Sequence, residues 1–183
     1  TQFRLAQSWT NPTSVVPNDD YVLASPLSFI IPGILGVTSE QNWKAFAVFT
    51  AVLGVVVSVI AGGRSVSSQS RLFILIVIVG GPVPALLFQW VGGYDAWFVF
   101  FVAVALLTKH GWLRSLGWLF LGFQHSLLAL LAWLLLSVVK TRTTGFHRHD
   151  VRDGLAIIFG FASLQLLQYV WRASPNRWSE FSE

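Results

Sequence analysis

Residues 115–139 read SLGWLFLGFQHSLLALLAWLLLSVV, twenty-five positions without Asp, Glu, Lys or Arg. A bilayer's hydrocarbon layer of about 30 Å needs roughly 20 apolar residues of helix, so this stretch is long enough to cross as one tilted helix. A second interpretation is a helical hairpin that turns near Gly122-Phe123-Gln124-His125, with limbs of about a dozen residues. Neither limb would be long enough to cross alone, so the hairpin implies a re-entrant or thinned region.

Uncharged stretches recur along the whole chain. Four more are 18 to 23 residues long and one is 13 residues long: 21–39, 45–63, 72–94, 154–171 and, the shortest, 96–108. The chain is 54% apolar and 11% charged, whereas about a quarter of the residues of a soluble domain are charged. So many apolar helices would find no amphipathic partners to cover them in a soluble fold. We predict an all-α, polytopic membrane helix bundle with five or six transmembrane or re-entrant segments.

Three parts are predicted along the chain: a polar N-terminal arm at 1–20, the membrane bundle at 21–172 and a solvated C-terminal tail at 173–183. Two of the apolar runs contain helix breakers. Run 21–39 carries Pro26, Pro32 and Gly33, which favour a kinked or partly inserted element over a straight crossing. Run 72–94 carries Gly80-Gly81-Pro82-Val83-Pro84, which predicts either a broken helix at mid-bilayer or a kink absorbed by packing.

Charge asymmetry tests the topology. The loops 64–71, 109–114 and 140–153 are basic, whereas 92–95 holds only Asp95. Basic loops are expected on the cytoplasmic face. The first two share that face if 72–94 and 96–108 both cross; the third joins them only if 115–139 is a hairpin. We expect an integral protein of a bacterial inner (plasma) membrane.

The sequence lacks the motifs that usually mark several functions. The chain contains no cysteine, which excludes disulfides and thiolate chemistry. A glycine-rich phosphate loop, a nucleophile elbow and a His-Glu-x-x-His metal site are all absent, and no motif requires a cofactor. Basic residues flank the apolar runs and form no aromatic-interleaved patch, so nucleic acid is not an expected partner. Membrane lipids, and anionic headgroups at the basic loops, are expected partners.

His125 is the one histidine inside an apolar run. An ionisable residue at that depth is a functional candidate. Its neutral imidazole is suited to bind the metal of a haem or chlorophyll, or to act as a base. The structural alternative is a histidine that hydrogen-bonds a neighbouring helix.

Acidic residues give a second candidate site. In the hairpin topology Asp19, Asp20 and Asp95 share the outer face, and the apex with Gln124 and His125 points the same way. With Asp19-Asp20 and Gly93-Tyr94-Asp95 in external loops, this arrangement resembles membrane glycosyltransferases of the GT-C type. The resemblance implies a transferase that uses polyprenyl-phosphate sugars, with Asp19, Asp20, Asp95 and His125 in its site. Because GT-C enzymes are usually longer, it also implies a fragment or a diverged remnant.

Three functions follow from these observations. We favour an accessory or scaffold subunit packed against other membrane protein subunits, because the surface is apolar and aromatic and few polar groups lie within the runs. The enzymatic alternative is the outer-face glycosyl or lipid transferase. The third is a haem- or chlorophyll-binding subunit with His125 as the ligand.

Overall fold

A computed structural model describes residues 2–18, 23, 25–37, 39–65, 95–107, 110–143, 145 and 147–173, and every regular element among them is helical. The helices are α1 (Gln2–Gln7), α2 (Leu27–Ile34), α3 (Glu40–Ser65), α4 (Asp95–Leu107), α5 (Gly111–Thr143) and α6 (Arg148–Trp171), and a 3-10 turn covers Pro12–Ser14. The prediction of an all-α fold is confirmed.

Two helical stretches in the described part are long and apolar enough to cross a membrane, by length and composition alone: Gly111–Val139, which is interrupted at His125, and Arg148–Trp171. The count of five or six membrane segments stays a prediction. Helix α3 contains the uncharged run 45–63 and continues past Gly62-Gly63 to Ser65. Run 72–94, with its predicted break, lies outside the described residues.

Run 21–39 does not form a crossing helix. Its described part holds α2, eight residues long, which rises about 12 Å. Pro26 immediately precedes the helix, and Gly36 follows it with φ of +69°, a left-handed conformation that ends a helix and suits glycine. Pro32 and Gly33, two of the helix breakers read from the sequence, lie inside α2 and do not interrupt it; Pro26 and Gly36 bound this short element.

Helix α5 is interrupted at His125, where φ is −145° and ψ is 65°. We call residues 111–124 the first limb and residues 126–143 the second limb. In a straight helix Ser115 and Trp133 would lie about 27 Å apart along the axis. Instead, the Ser115 hydroxyl donates to the Asp153 carboxylate at 2.7 Å, and the Trp133 indole donates to the Asp150 carbonyl at 3.0 Å. Both limbs therefore reach the same turn of α6.

The two limbs run in opposite directions along α6. The first limb advances with α6, since Ser115 contacts Asp153 and Leu119 lies against Gly160, two turns further on. The second limb returns to Asp150 and Gly154 through Trp133, and only residues 144–147 separate it from the start of α6. Stretch 111–143 is thus a hairpin, and the single straight helix is wrong.

Close contact between the first limb and α6 depends on glycine. A Cβ on Gly122 would meet the backbone of Ile157, and a Cβ on Gly160 would meet the Leu119 carbonyl. Small residues let helix backbones approach in this way. The buried core beside this contact draws on α2, α4, both limbs and α6: Leu27, Phe101, Ala105, Trp118, Leu121, Ala129 and Ile157.

Helix α4 runs antiparallel to the first limb. Ala105 packs against Gly117, while Phe101, one turn nearer the start of α4, stacks on Phe120 with ring centroids 4.7 Å apart. Asp95, the first residue of α4, therefore lies towards the apex of the hairpin.

The N-terminal segment packs around the far end of α6. Leu5, Phe29 and Trp171 belong to one buried cluster, and the Thr13 hydroxyl donates to the Trp171 carbonyl at 3.1 Å. Residues 2–16 therefore pack onto the protein, with Leu5, Ala6 and Val16 buried, and do not form an exposed arm. The hairpin and α6 thus begin at one end of the molecule, and the N-terminal segment lies at the other.

Candidate functional site

The hairpin apex is a buried polar site. Gln124 has no exposed surface and His125 is buried beside it. The break at His125 interrupts the backbone ladder of α5, and the Gln124 carbonyl accepts a hydrogen bond from the Ser25 hydroxyl at 3.2 Å. The Gln124 Oε1 atom accepts the backbone N–H of Leu27 at 3.2 Å. This side chain therefore caps α2, whose own N-cap residue makes no side-chain cap.

Segment 23–28 ties the apex to α6. The Ser28 hydroxyl donates to the Ser25 carbonyl at 3.1 Å, and the Gln168 amide donates to the Leu23 carbonyl at 3.3 Å. We call Ser25, Ser28, Gln124 and His125 the apex cluster. Its buried polar groups hold α2 across the turn of the hairpin, away from the start of α6.

The structure brings one of the predicted acidic residues towards this cluster. The start of α4 at Asp95 lies at the apex end of the first limb, by the antiparallel packing described above. The side chain of Asp95 and all of Asp19 and Asp20 lie outside the residues that the structure describes. Convergence of the three carboxylates on His125 stays a prediction.

The histidines separate into two groups. His147 and His149 lie at the start of α6, and His110 directly precedes the first limb, where Arg152 binds Gly111. All three are therefore at the end opposite to the apex. His125 has no second histidine at its depth, so this chain alone does not form a haem site with two axial histidines.

A second polar cluster joins the first limb to α6 at that end. Arg114 Nε lies 2.8 Å from Asp153 Oδ2, and Asp153 Oδ1 accepts the Ser115 hydroxyl. The Arg152 guanidinium donates to the Gly111 carbonyl at 2.7 Å. Asp153 is buried, so its charge is compensated by Arg114 and by hydrogen bonding, as a buried carboxylate requires. We call Arg114, Ser115, Arg152 and Asp153 the basic-end cluster.

Sequence reasoning missed this cluster. The residues are separated by about forty positions along the chain, and each reads as an ordinary charge beside an apolar run. The available signal was the hairpin itself. A reversal near His125 returns the second limb to the end where the first began, and so brings the start of α6 beside Arg114.

His147, His149 and Asp150 form a third group at the N-terminus of α6. The Asp150 carboxylate accepts the His147 backbone N–H at 3.0 Å and lies 3.6 Å from His149 Nε2. The two imidazole rings stack with centroids 5.2 Å apart and an angle of 20° between their planes. The sequence His147-Arg148-His149-Asp150 places donor atoms of the transition-metal type on the first turn of a helix.

Comparison with known proteins gives no relative from which a function can be carried over. The chain matches no protein-family model, no curated protein and no solved structure.

Proposed function

We propose that the chain is an integral membrane accessory or scaffold subunit, packed within a larger membrane protein complex through its helical hairpin. The observation that carries the proposal is the outward face of the second limb. That limb packs inward through Ala129 and Trp133, while large apolar side chains on its other sides are exposed: Leu127, Leu128, Leu131, Leu134, Leu135 and Val138.

The other long helices also expose large apolar side chains. Helix α6 exposes Leu155, Phe159 and Leu166, and α3 exposes Phe49. Several polar groups of α5 and α6, by contrast, are buried: Gln124 and His125 in the apex cluster and Asp153 in the basic-end cluster. An apolar exterior over a hydrogen-bonded polar interior suits lipid or another apolar protein surface and opposes water contact. This supports membrane location. Arg114, Arg142, Arg148 and Arg152 at one end, against Arg4 and Arg172 at the other, support a bacterial inner membrane.

The hairpin favours a protein partner in addition to lipid. A first limb of 14 residues rises about 21 Å, less than the hydrocarbon thickness, so the apex would sit within the bilayer. Irregular backbone at that depth needs protein or a water-filled cavity around it. Helix α2 and the residues just before it cover one side of the apex through Leu27 and Ser25. A neighbouring subunit along the second limb would complete the cover.

A site-specific photocrosslinking experiment tests this function. A photoreactive amino acid at Leu135 should give one discrete protein adduct in native membranes, and the particle extracted in mild detergent should exceed the mass of one 20.3 kDa chain. The matched control is Arg142, which is exposed at the polar end of the same limb and should not give that adduct. Monomeric extraction with lipid adducts alone at Leu135 would overturn the proposal.

A GT-C-like glycosyl or lipid transferase is the second candidate. The observation that favours it is the direction of α4, whose first residue, Asp95, lies towards the apex end of the first limb. A paired-cysteine experiment tests the convergence: Asp95→Cys with His125→Cys should be bridged by a short bifunctional thiol reagent. Arg142→Cys with His125→Cys is the control pair and should not be bridged. Failure of the first pair ends this candidate.

The haem- or chlorophyll-binding alternative requires an axial ligand besides His125, from a partner or from solvent. Purified complex should then show a visible absorption band that His125→Ala removes. An unchanged spectrum in that variant excludes the alternative.

A further inference from the structure

We propose that His147, His149 and Asp150 form a binding site for a transition-metal dication of the zinc type, at the end of the molecule opposite to the apex cluster. Each residue offers one ligand atom, and these atoms all lie within 4.8 Å of one another. Zn²⁺ binds imidazole nitrogen and carboxylate oxygen at about 2.0–2.2 Å, so side-chain rotation on binding would bring these atoms closer together.

The backbone holds the three residues in place. His147 is the N-cap of α6 and Asp150 is its third helical residue, and the carboxylate accepts the His147 N–H at 3.0 Å. His149 Nε2 lies 3.6 Å from the same carboxylate oxygen. Since all three belong to one capped helix turn, the ligands are preorganised by local structure and do not depend on a distant part of the chain.

The tautomer of His147 also suits a ligand. Its Nδ1 atom lies 3.0 Å from the Gly145 carbonyl, and the tautomer that donates a hydrogen bond to this carbonyl carries its proton on Nδ1. Nε2 then carries the lone pair that a metal needs. A metal-binding histidine usually donates its other ring N–H to a carbonyl or carboxylate in this way. Gly145, with φ of +83°, makes the turn that presents its carbonyl to the ring.

The donor set selects the class of metal. Two imidazoles with one carboxylate suit Zn²⁺, Cu²⁺ or Ni²⁺, whereas Ca²⁺ and Mg²⁺ prefer oxygen ligands. Arg148 and the positive N-terminal end of α6 oppose any cation, and directional bonds to two nitrogens offset that opposition. Three protein ligands leave a fourth position for water. A bound metal would stabilise the conformation of the turn between the second limb and α6.

A metal titration of the full chain in detergent tests the site. The chain is purified without a histidine tag and stripped with chelator, then titrated with Co²⁺, followed by its visible absorption, and with Zn²⁺, followed by calorimetry. We expect one equivalent to bind. His147→Ala and His149→Ala should each weaken binding more than about tenfold, as loss of a ligand or its support does. His110→Ala is the matched control, an exposed histidine outside the site, and should bind as the parent does.

Asp150→Asn separates the metal role from the cap. Its amide oxygen still accepts the His147 N–H, so the far-ultraviolet circular dichroism should match that of the parent while Zn²⁺ binding weakens. Equal binding by the His147→Ala/His149→Ala double variant and the parent, or an equal loss in His110→Ala, would overturn the proposal.

Discussion

Trp133 donates its indole N–H to the Asp150 carbonyl at 3.0 Å. This places the second limb against the same turn of α6 that Arg114 and Ser115 reach from the first limb through Asp153. Two segments that are nearly twenty residues apart in α5 therefore share one end of the molecule.

The first prediction concerns sidedness in the membrane. The chain has no native cysteine, so each of Trp112→Cys, Arg142→Cys and Thr10→Cys carries a single thiol. All three positions are exposed. An impermeant thiol reagent should label Trp112→Cys and Arg142→Cys from the same side, because the hairpin returns to its starting face, and Thr10→Cys from the other. Labelling of the first two from opposite sides would mean that α5 crosses once.

The second prediction concerns the close contact between the first limb and α6. Gly160→Leu forces a side chain against the Leu119 carbonyl, so the variant should lose about 1–3 kcal/mol of stability through overpacking. Ala162→Leu is the control, since Ala162 is on the same helix and exposed. Unfolding by SDS, followed by circular dichroism, measures both variants. Equal midpoints for the two would contradict the contact.

The third prediction concerns the buried ion pair. Arg114→Met leaves the Asp153 carboxylate buried without its cation, which should cost about 3 kcal/mol. Asp153→Asn in the same chain removes that charge and keeps an acceptor for the Ser115 hydroxyl. The double variant should therefore be more stable than Arg114→Met alone in the same SDS assay. Additive losses would show that the two side chains do not interact.

The fourth prediction concerns the cap on α2. Gln124→Leu keeps the volume but leaves the Leu27 N–H without its acceptor, and a buried donor left in this way costs about 1–3 kcal/mol. Gln41→Leu, at an exposed position on α3, should change stability far less. If both variants unfold at the same SDS concentration, the apex hydrogen bond contributes nothing.

Much of the fold was predictable from the spacing of charges and helix breakers. Uncharged length identified α6, and Pro26, Pro32 and Gly33 indicated that run 21–39 would not be a straight crossing. The turn near His125 followed from requiring that three basic loops share one face. That argument used loop charges alone, and the contacts of Trp133 and Arg114 now support it independently.

The contacts within the site were not predictable. Capping of α2 by Gln124 requires residues 97 positions apart to meet, and no periodicity specifies such a pairing. The ion pair of Arg114 with Asp153 also joins residues that are far apart in the sequence. The importance of His125 was inferred from its depth in an apolar run, whereas its neighbours Ser25 and Ser28 appeared as ordinary small residues near prolines.

The reversal at His125 has a consequence for biogenesis. A hairpin whose two ends emerge at the same face can enter a bilayer without carrying a hydrophilic segment across it. Insertion of α5 would then need no translocation of a polar loop, but it would need both limbs to be synthesised before either is stable in lipid. The stretch would therefore enter the membrane as a single unit, late enough for the second limb to have left the ribosome.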